Sequence, residues 1–166
     1  MYKIGDTVVY GTEGICEVTD ITLMSFGGDK SQYYILTSIS KRQNTIYAPV
    51  NNEKIKKRMR SILTSDEARK LIDSLPIEPM EWVENSHERQ DVFKNVLLCG
   101  SPEEVFSMLT SLYKKQNEQE KINKKLHASD ERYMRDGERM LFSELAYALN
   151  TDVNEIVKEV FLNLKS

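Results

Sequence analysis

The chain has 166 residues, 40% of them apolar and 30% charged, which suits one ordinary domain or two small ones with a real core and excludes a disordered composition. A net charge of −3 does not announce a nucleic-acid binder, so any such role must rest on a local patch. No run approaches the roughly 18 apolar residues of a membrane span, and "MYKIGDTVVY" lacks the basic start and apolar stretch of a secretory signal, so a cytoplasmic protein with no membrane partner is expected.

From the N-terminus, "TVVY" (Thr7 to Tyr10), "GICEVTDITLM" (Gly14 to Met24), "QYYILTSI" (Gln32 to Ile39) and "TIYAPV" (Thr45 to Val50) are β-branched and aromatic runs. They are separated by the turn-rich "GTEG", "SFGGDKS" and "SKRQN". Four or five short strands with no helical period among them predict a small antiparallel barrel or strongly bent sheet. Pro49 has no N–H, so "TIYAPV" must end its pairing there or run along an edge.

After Arg60 the period changes. Thr64-Ser65-Asp66-Glu67 fits a capping box, with Ala68, Leu71, Ile72 and Leu75 at helical spacing behind it and Pro76 as the stop. Val92, Phe93, Val96 and Leu97 make a second helical stripe that ends at Gly100. Ser101-Pro102-Glu103-Glu104 is a strong helix start, and Val105, Met108, Leu109 and Leu112 continue it. The lysine-rich "KKQNEQEKINKK" leads to a further start at Ser129, with Met134, Leu141, Leu145 and Leu149 along the helix. Thr151 is read as the cap of a last helix carrying Val153, Ile156, Val157, Val160 and Leu164. The fold class is therefore α+β in two domains, a β module followed by an all-α region of four or five helices.

Charge divides the same way. Residues 1–60 hold nine Lys and Arg against six Asp and Glu, and residues 61–166 hold 14 against 20. Cys16 and Cys99 form no C-x-x-C and read as buried free thiols. His87 and His127 have no cysteine or paired carboxylate beside them, so no metal or other cofactor is expected. The chain has no G-x-x-x-x-G-K-[ST], G-x-S-x-G or H-E-x-x-H, so neither catalysis nor a small-molecule substrate is expected.

The informative stretch is "LPIEPMEWVENS", which holds the only tryptophan, Trp82, in a proline-broken, acid-flanked connection. Trp82 either packs onto its own domain or stands out as a wedge, which against a base step would normally be surrounded by Arg or Lys. Lys114, Lys115, Lys121, Lys124 and Lys125, with Arg132 and Arg135 beyond, are either a solvated helix face or phosphate contacts. "EKIKKRMR" (Glu53 to Arg60) is a basic approach to the domain junction. Phe26, Tyr33, Tyr34 and Tyr47 are either an aromatic cage or, as strand tyrosines more often are, core and rim of the sheet.

"YKIGDTVVYGTEGICEVTDI", "YYIL", "TIYAPV" and "MRSILTSDEARKLIDSL", followed by a lone Trp82, Gly100 before a helix, "SLYKK", "KKL" and Glu144-Leu145-Ala146, resemble the CarD/CdnL family of bacterial transcription regulators in content and order. The resemblance implies a Tudor-like domain over residues 1–62 that docks on the RNA polymerase β subunit. It also implies a helix and linker over 63–83 and a helical DNA-binding domain over 84–166. The partners implied are polymerase and promoter DNA, held weakly and without sequence specificity in the minor groove at the upstream edge of the transcription bubble, where the open complex would be stabilised.

Trp82 matches the family's inserted tryptophan, and Lys114, Lys115 and Arg132 match positions that touch phosphates. Lys124 and Lys125 join them by proximity, and Arg89 is the one arginine left where relatives place several after the tryptophan. On the docking domain the expected contacts are Met24, Ile46 and Tyr47, with Met24 and Tyr47 standing where some relatives have arginine. A competing reading is a Tudor-like peptide-binding module with a helical oligomerisation domain and no DNA role.

Overall fold

The computed structural model describes residues 1–40 and 44–165, so Lys41, Arg42 and Gln43 of the expected "SKRQN" connector lie outside it. Two units divide at residue 62, Met1–Ile62 and Leu63–Ser166.

In the first unit the four expected strands form as β1 (Thr7–Tyr10), β2 (Gly14–Ser25), β3 (Lys30–Ser38) and β4 (Thr45–Pro49). "EKIKKRMR", expected only as a basic approach, makes a short helix α1 (Glu53–Arg58) and a fifth strand β5 (Met59–Ser61). The Asn52 side chain accepts from the Lys54 and Ile55 amides and so starts α1, which sets Ile55 against the core of the sheet. Gly27 and Gly28, at φ +82° and +116°, turn β2 into β3 through conformations that L side chains rarely adopt.

The sheet is antiparallel in the order β4-β3-β2-β1-β5. It is open rather than closed, which corrects the barrel alternative: among the described residues β4 pairs only with β3, and β5 only with β1. The β2–β3 register shifts at Thr19, between Val18 and Asp20, an irregularity of the kind that bends a strand locally. Strand alternation turns Tyr34 and Leu36 inward with Val8, Cys16, Val18, Ala48 and Met59, and turns Tyr33 and Ile35 to the other face.

The second unit holds α2 (Ser65–Asp73), α3 (Ser86–Cys99), α4 (Pro102–Glu120), α5 (Ala128–Ala148) and α6 (Val153–Leu164). The capping box at Thr64 forms, and the helix start at Ser101 is a capping box as well. Glu67 N–H donates to Thr64 Oγ1 at 3.2 Å and Thr64 N–H to Glu67 Oε2 at 2.8 Å; Ser101 and Glu104 exchange the same pair at 3.2 and 2.6 Å. Two later starts differ from the sequence reading. His127, not Ser129, caps α5, and Asp152, not Thr151, caps α6 by accepting the Asn154 amide at 2.7 Å. The polar "KKQNEQE" continues α4 to Glu120, since lysine, glutamine and glutamate are good helix formers that need no apolar stripe at a solvated end.

One core joins all five helices through Ile72, Phe93, Phe106, Leu109, Leu112, Leu141, Leu145, Ile156 and Val160. Each such side chain contributes about 1.5–3 kcal/mol on burial. Residues 63–83 lie within this unit: Ala68, Leu71, Ile72 and Leu75 are buried in its core, and Leu63 N–H donates to the buried Glu144 carboxylate at 3.1 Å. Cys16 is buried as expected. Cys99 is exposed, because the last position of α3 falls away from the Phe93, Val96 and Leu97 face. No helix among the described residues is long and apolar enough to cross a membrane.

Candidate functional site

Trp82 sits in the irregular segment between α2 and α3, and both sides of that segment are tied down. On α4, Ser107 Oγ donates to Glu78 O at 2.7 Å, Ser111 Oγ donates to Met80 O, and Met80 N–H donates to Ser107 O at 3.2 Å. Just after the tryptophan, Arg89 Nη1 donates to Val83 O at 2.8 Å and to Glu84 O at 3.1 Å. Two serines one turn apart on α4, Ser107 and Ser111, were the available signal for this strap. The sequence reading did not use them.

Held in this way, the indole is half-buried. Its ring meets Phe93 of the core edge-on at 6.2 Å between centroids, while Arg89 Cζ lies over it at 4.5 Å and Lys115 Nζ at 5.2 Å. Cation-over-ring contacts of this kind contribute about 0.5–1 kcal/mol where solvent reaches them. Trp82 is thus neither a core tryptophan nor a free-standing wedge. It is an aromatic braced from behind.

An open cleft of about 310 Å³ runs beside the indole, with Lys114 and Lys115 on its rim. Leu112 of the same helix faces the core, and the Tyr113 phenol donates to Glu138 on α5 at 2.7 Å, which fixes the rotation of α4, turns Lys114 outward and leaves Lys115 half-buried beside the indole. Burial and that hydrogen bond to Glu138 hold the Tyr113 phenol well above its usual pKa. Glu81, Glu84 and Glu118 share the rim, so the cleft carries both signs of charge.

The structure groups the expected contacts unevenly. Trp82, Lys114 and Lys115 share the cleft. Arg132 is exposed on α5 and connects through aromatic contacts: its guanidinium lies 5.7 Å from the Tyr133 ring centroid, and Tyr133 meets Phe93 at 5.8 Å. Lys124 and Lys125 are exposed in the connection between α4 and α5. Leu126, the next residue, lines a second hollow of about 210 Å³ that also reaches Trp82 and Lys115.

Arg89 requires a correction. Expected to meet DNA phosphate, it is only 6% exposed. Its Nε and Nη2 donate to Asp130 Oδ1 and Oδ2 at 3.0 and 2.8 Å, and its remaining bonds go to the backbone after Trp82. A guanidinium with its donors committed in this way is not offered to a phosphate.

On the first unit, Tyr47 is 49% exposed on the outer face, where Phe26 packs edge-on against it and against Tyr33, at 6.1 and 5.3 Å. Tyr34 faces the core instead and leaves that aromatic set. Met24 is half-buried near the end of β2, on the same face as Tyr33. Ile46 is corrected: it pairs with Leu36 on the inward face and packs against the core, so its side chain does not join Met24 and Tyr47.

Val50 N–H donates to Gln32 O and Ser38 N–H to Asn44 O, and the antiparallel alternation between them turns the Ala48 and Ile46 amides toward β3. The main-chain groups of Thr45 and Tyr47 then face the free edge, and Pro49 falls at an outward position where no N–H is needed. The expectation of an edge for "TIYAPV" is met.

The first unit coincides with a known family. The family model of the CarD-like/TRCF RID domain matches residues 2–63, so the first unit carries a domain similar to one that interacts with RNA polymerase in transcription.

Proposed function

We propose that the chain docks on the polymerase β subunit through its first unit and sets Trp82, Lys114, Lys115 and Arg132 against promoter DNA at the upstream edge of the bubble, slowing the collapse of the open complex. It acts as a non-enzymatic regulator. The observation that carries this reading is the half-buried indole beside the Lys114 and Lys115 rim: a π surface for an unstacked base next to cations for its phosphates. An excess of six acids over bases in residues 61–166 keeps free-DNA affinity low, because nonspecific binding comes mainly from neutralised phosphates. Docking on polymerase supplies what local charge does not. A tether raises the local concentration of the helical unit to roughly the millimolar range, where weak contacts suffice. The outer edge of β4 supports the docking half, since it offers main-chain groups to an added strand whatever the neighbouring side chains are.

The test is a photo-crosslinking amino acid at position 114 of the full chain, irradiated in a complex with bacterial RNA polymerase and promoter DNA. Crosslinks to DNA at the upstream edge of the bubble are expected. Crosslinks to polymerase alone, with none to DNA, would refute the DNA contact.

A further inference from the structure

We propose that Arg89 is the positioning residue for Trp82: its buried guanidinium is the platform that fixes how the indole is presented. The inference deepens the proposed function and rests on it for its biological consequence, though not for its geometry. Arg89 lies in the first turn of α3, and Asp130, 2% exposed, lies in the first turn of α5. The two carboxylate oxygens take Nε and Nη2, and Val83 O and Glu84 O take Nη1, so bonds on three sides hold the guanidinium plane. Arg89 Cζ lies over the indole, 4.5 Å from the ring centroid.

One side chain therefore ties α3, α5 and the two residues after Trp82 to the ring itself. Only arginine can do this, because lysine has neither a planar fork for the carboxylate nor a flat surface to stack on. Stability alone does not account for the pair, since buried ion pairs contribute little net stability compared with apolar residues of similar volume. An indole on a connection between helices would otherwise sample several rotamers, and a base step meets only the population already presented, so fixing the rotamer raises the effective contact.

Arg89→Lys tests the idea, because it keeps a positive charge for Asp130 and removes the fork and the platform. Trp82 is the only tryptophan, so its emission reports this ring alone. In the full-length chain the expected result is a retained helical spectrum with a rise in acrylamide quenching and a fall in fluorescence anisotropy. With polymerase and promoter, the open-complex lifetime should drop to that of Trp82→Ala, and adding Arg89→Lys to Trp82→Ala should cause no further loss. A merely structural arginine would shorten the lifetime in both backgrounds, and that result overturns the proposal, as does unchanged quenching and anisotropy in a folded Arg89→Lys chain.

If Arg89→Lys does not fold, nuclear magnetic resonance of the unaltered chain decides. The Arg89 Nε–H signal should be protected from exchange and shifted by the indole ring current, and the ring-current shift should vanish in Trp82→Ala. A signal unchanged by that substitution overturns the platform. If Trp82→Ala leaves the lifetime untouched while the spectroscopic results hold, the DNA role fails and the positioning role stands.

Discussion

Cutting Trp82 back to alanine removes a ring that is neither free nor enclosed, and its contacts set the cost. A fully buried aromatic costs about 3–5 kcal/mol on truncation, because a cavity is left as well as the lost transfer energy. At Trp82 the cleft opens to solvent, so water fills the vacated space, and the apolar loss is concentrated on the Phe93 side. Half of the fully buried figure, about 2 kcal/mol, is then the expected packing loss, and losing the Arg89 stack adds about 0.5–1 kcal/mol. For a helical unit of this size each kcal/mol moves the midpoint by about 4–8 °C, so the melt should fall by about 10–20 °C while remaining cooperative. Far-UV circular dichroism at full length is the assay, since five of the six described helices lie in the second unit. A midpoint within about 2 °C of the unaltered chain would mean that the ring is not braced at all. A chain unfolded at room temperature would mean that the ring is a core residue, and the bracing argument would fail from the other side.

Four further outcomes follow from the same contacts. Lys114→Glu with Lys115→Glu should lower the melt only slightly, since Lys114 is exposed and the half-buried Lys115 loses one cation-over-ring contact of about 0.5–1 kcal/mol, and should flatten the salt slope of promoter-complex binding; an unchanged slope would make the pair a solvated face. Tyr47→Pro should keep the β3 pairing, because the Tyr47 amide faces the free edge, yet weaken capture of polymerase in a pull-down; undiminished capture would rule out docking by strand addition. Gly100→Ala should lower stability by about 1–3 kcal/mol in urea titration, because the new Cβ would stand 2.5 Å from Val96 O. Thr64 N–H and Oγ1 hold the Glu67 carboxyl below its ordinary pKa, so its contribution to the α2 cap is complete above the unfolded value of 4.5 and is lost as pH falls through the lower folded value. Glu67→Gln should make the melt less sensitive to pH in that acid window, and an identical acid profile would count against the capping box as a titrating element.

What the sequence made legible was what depends on neighbours in the chain. Thr64 and Ser101 were found because a capping box is written in four consecutive residues, and the inward stripe of α4 because its period is local. Gly27 and Gly28 marked the hairpin for the same reason. Contacts made across the fold were not legible. Asp130 is 41 residues from Arg89, and nothing near either residue signals the other, so an arginine after a tryptophan was read as a phosphate ligand when its partner lay on α5. The face of Ile46 follows from its register with Leu36, which a strand does not reveal until its neighbour is known. His127 displaced Ser129 as the α5 cap although both were in view, because a hydroxyl two residues on can pair with the ring instead of starting the helix. The brace on Trp82 needed Phe93, Arg89, Ser107 and Ser111 together, and only the fold assembles them.

The most direct test of the central claim is the lifetime of a preformed open complex of bacterial RNA polymerase, challenged with competitor, with and without the full chain. The account predicts a lifetime lengthened by the unaltered protein; a bias of ~1.4 kcal/mol would make it about tenfold longer if it acts wholly on collapse. It also predicts that most of that gain is lost with Trp82→Ala at a temperature where the variant is folded and still captured by polymerase. Equal lifetimes with and without a protein demonstrably bound to polymerase, or an undiminished gain in the alanine variant, would contradict it.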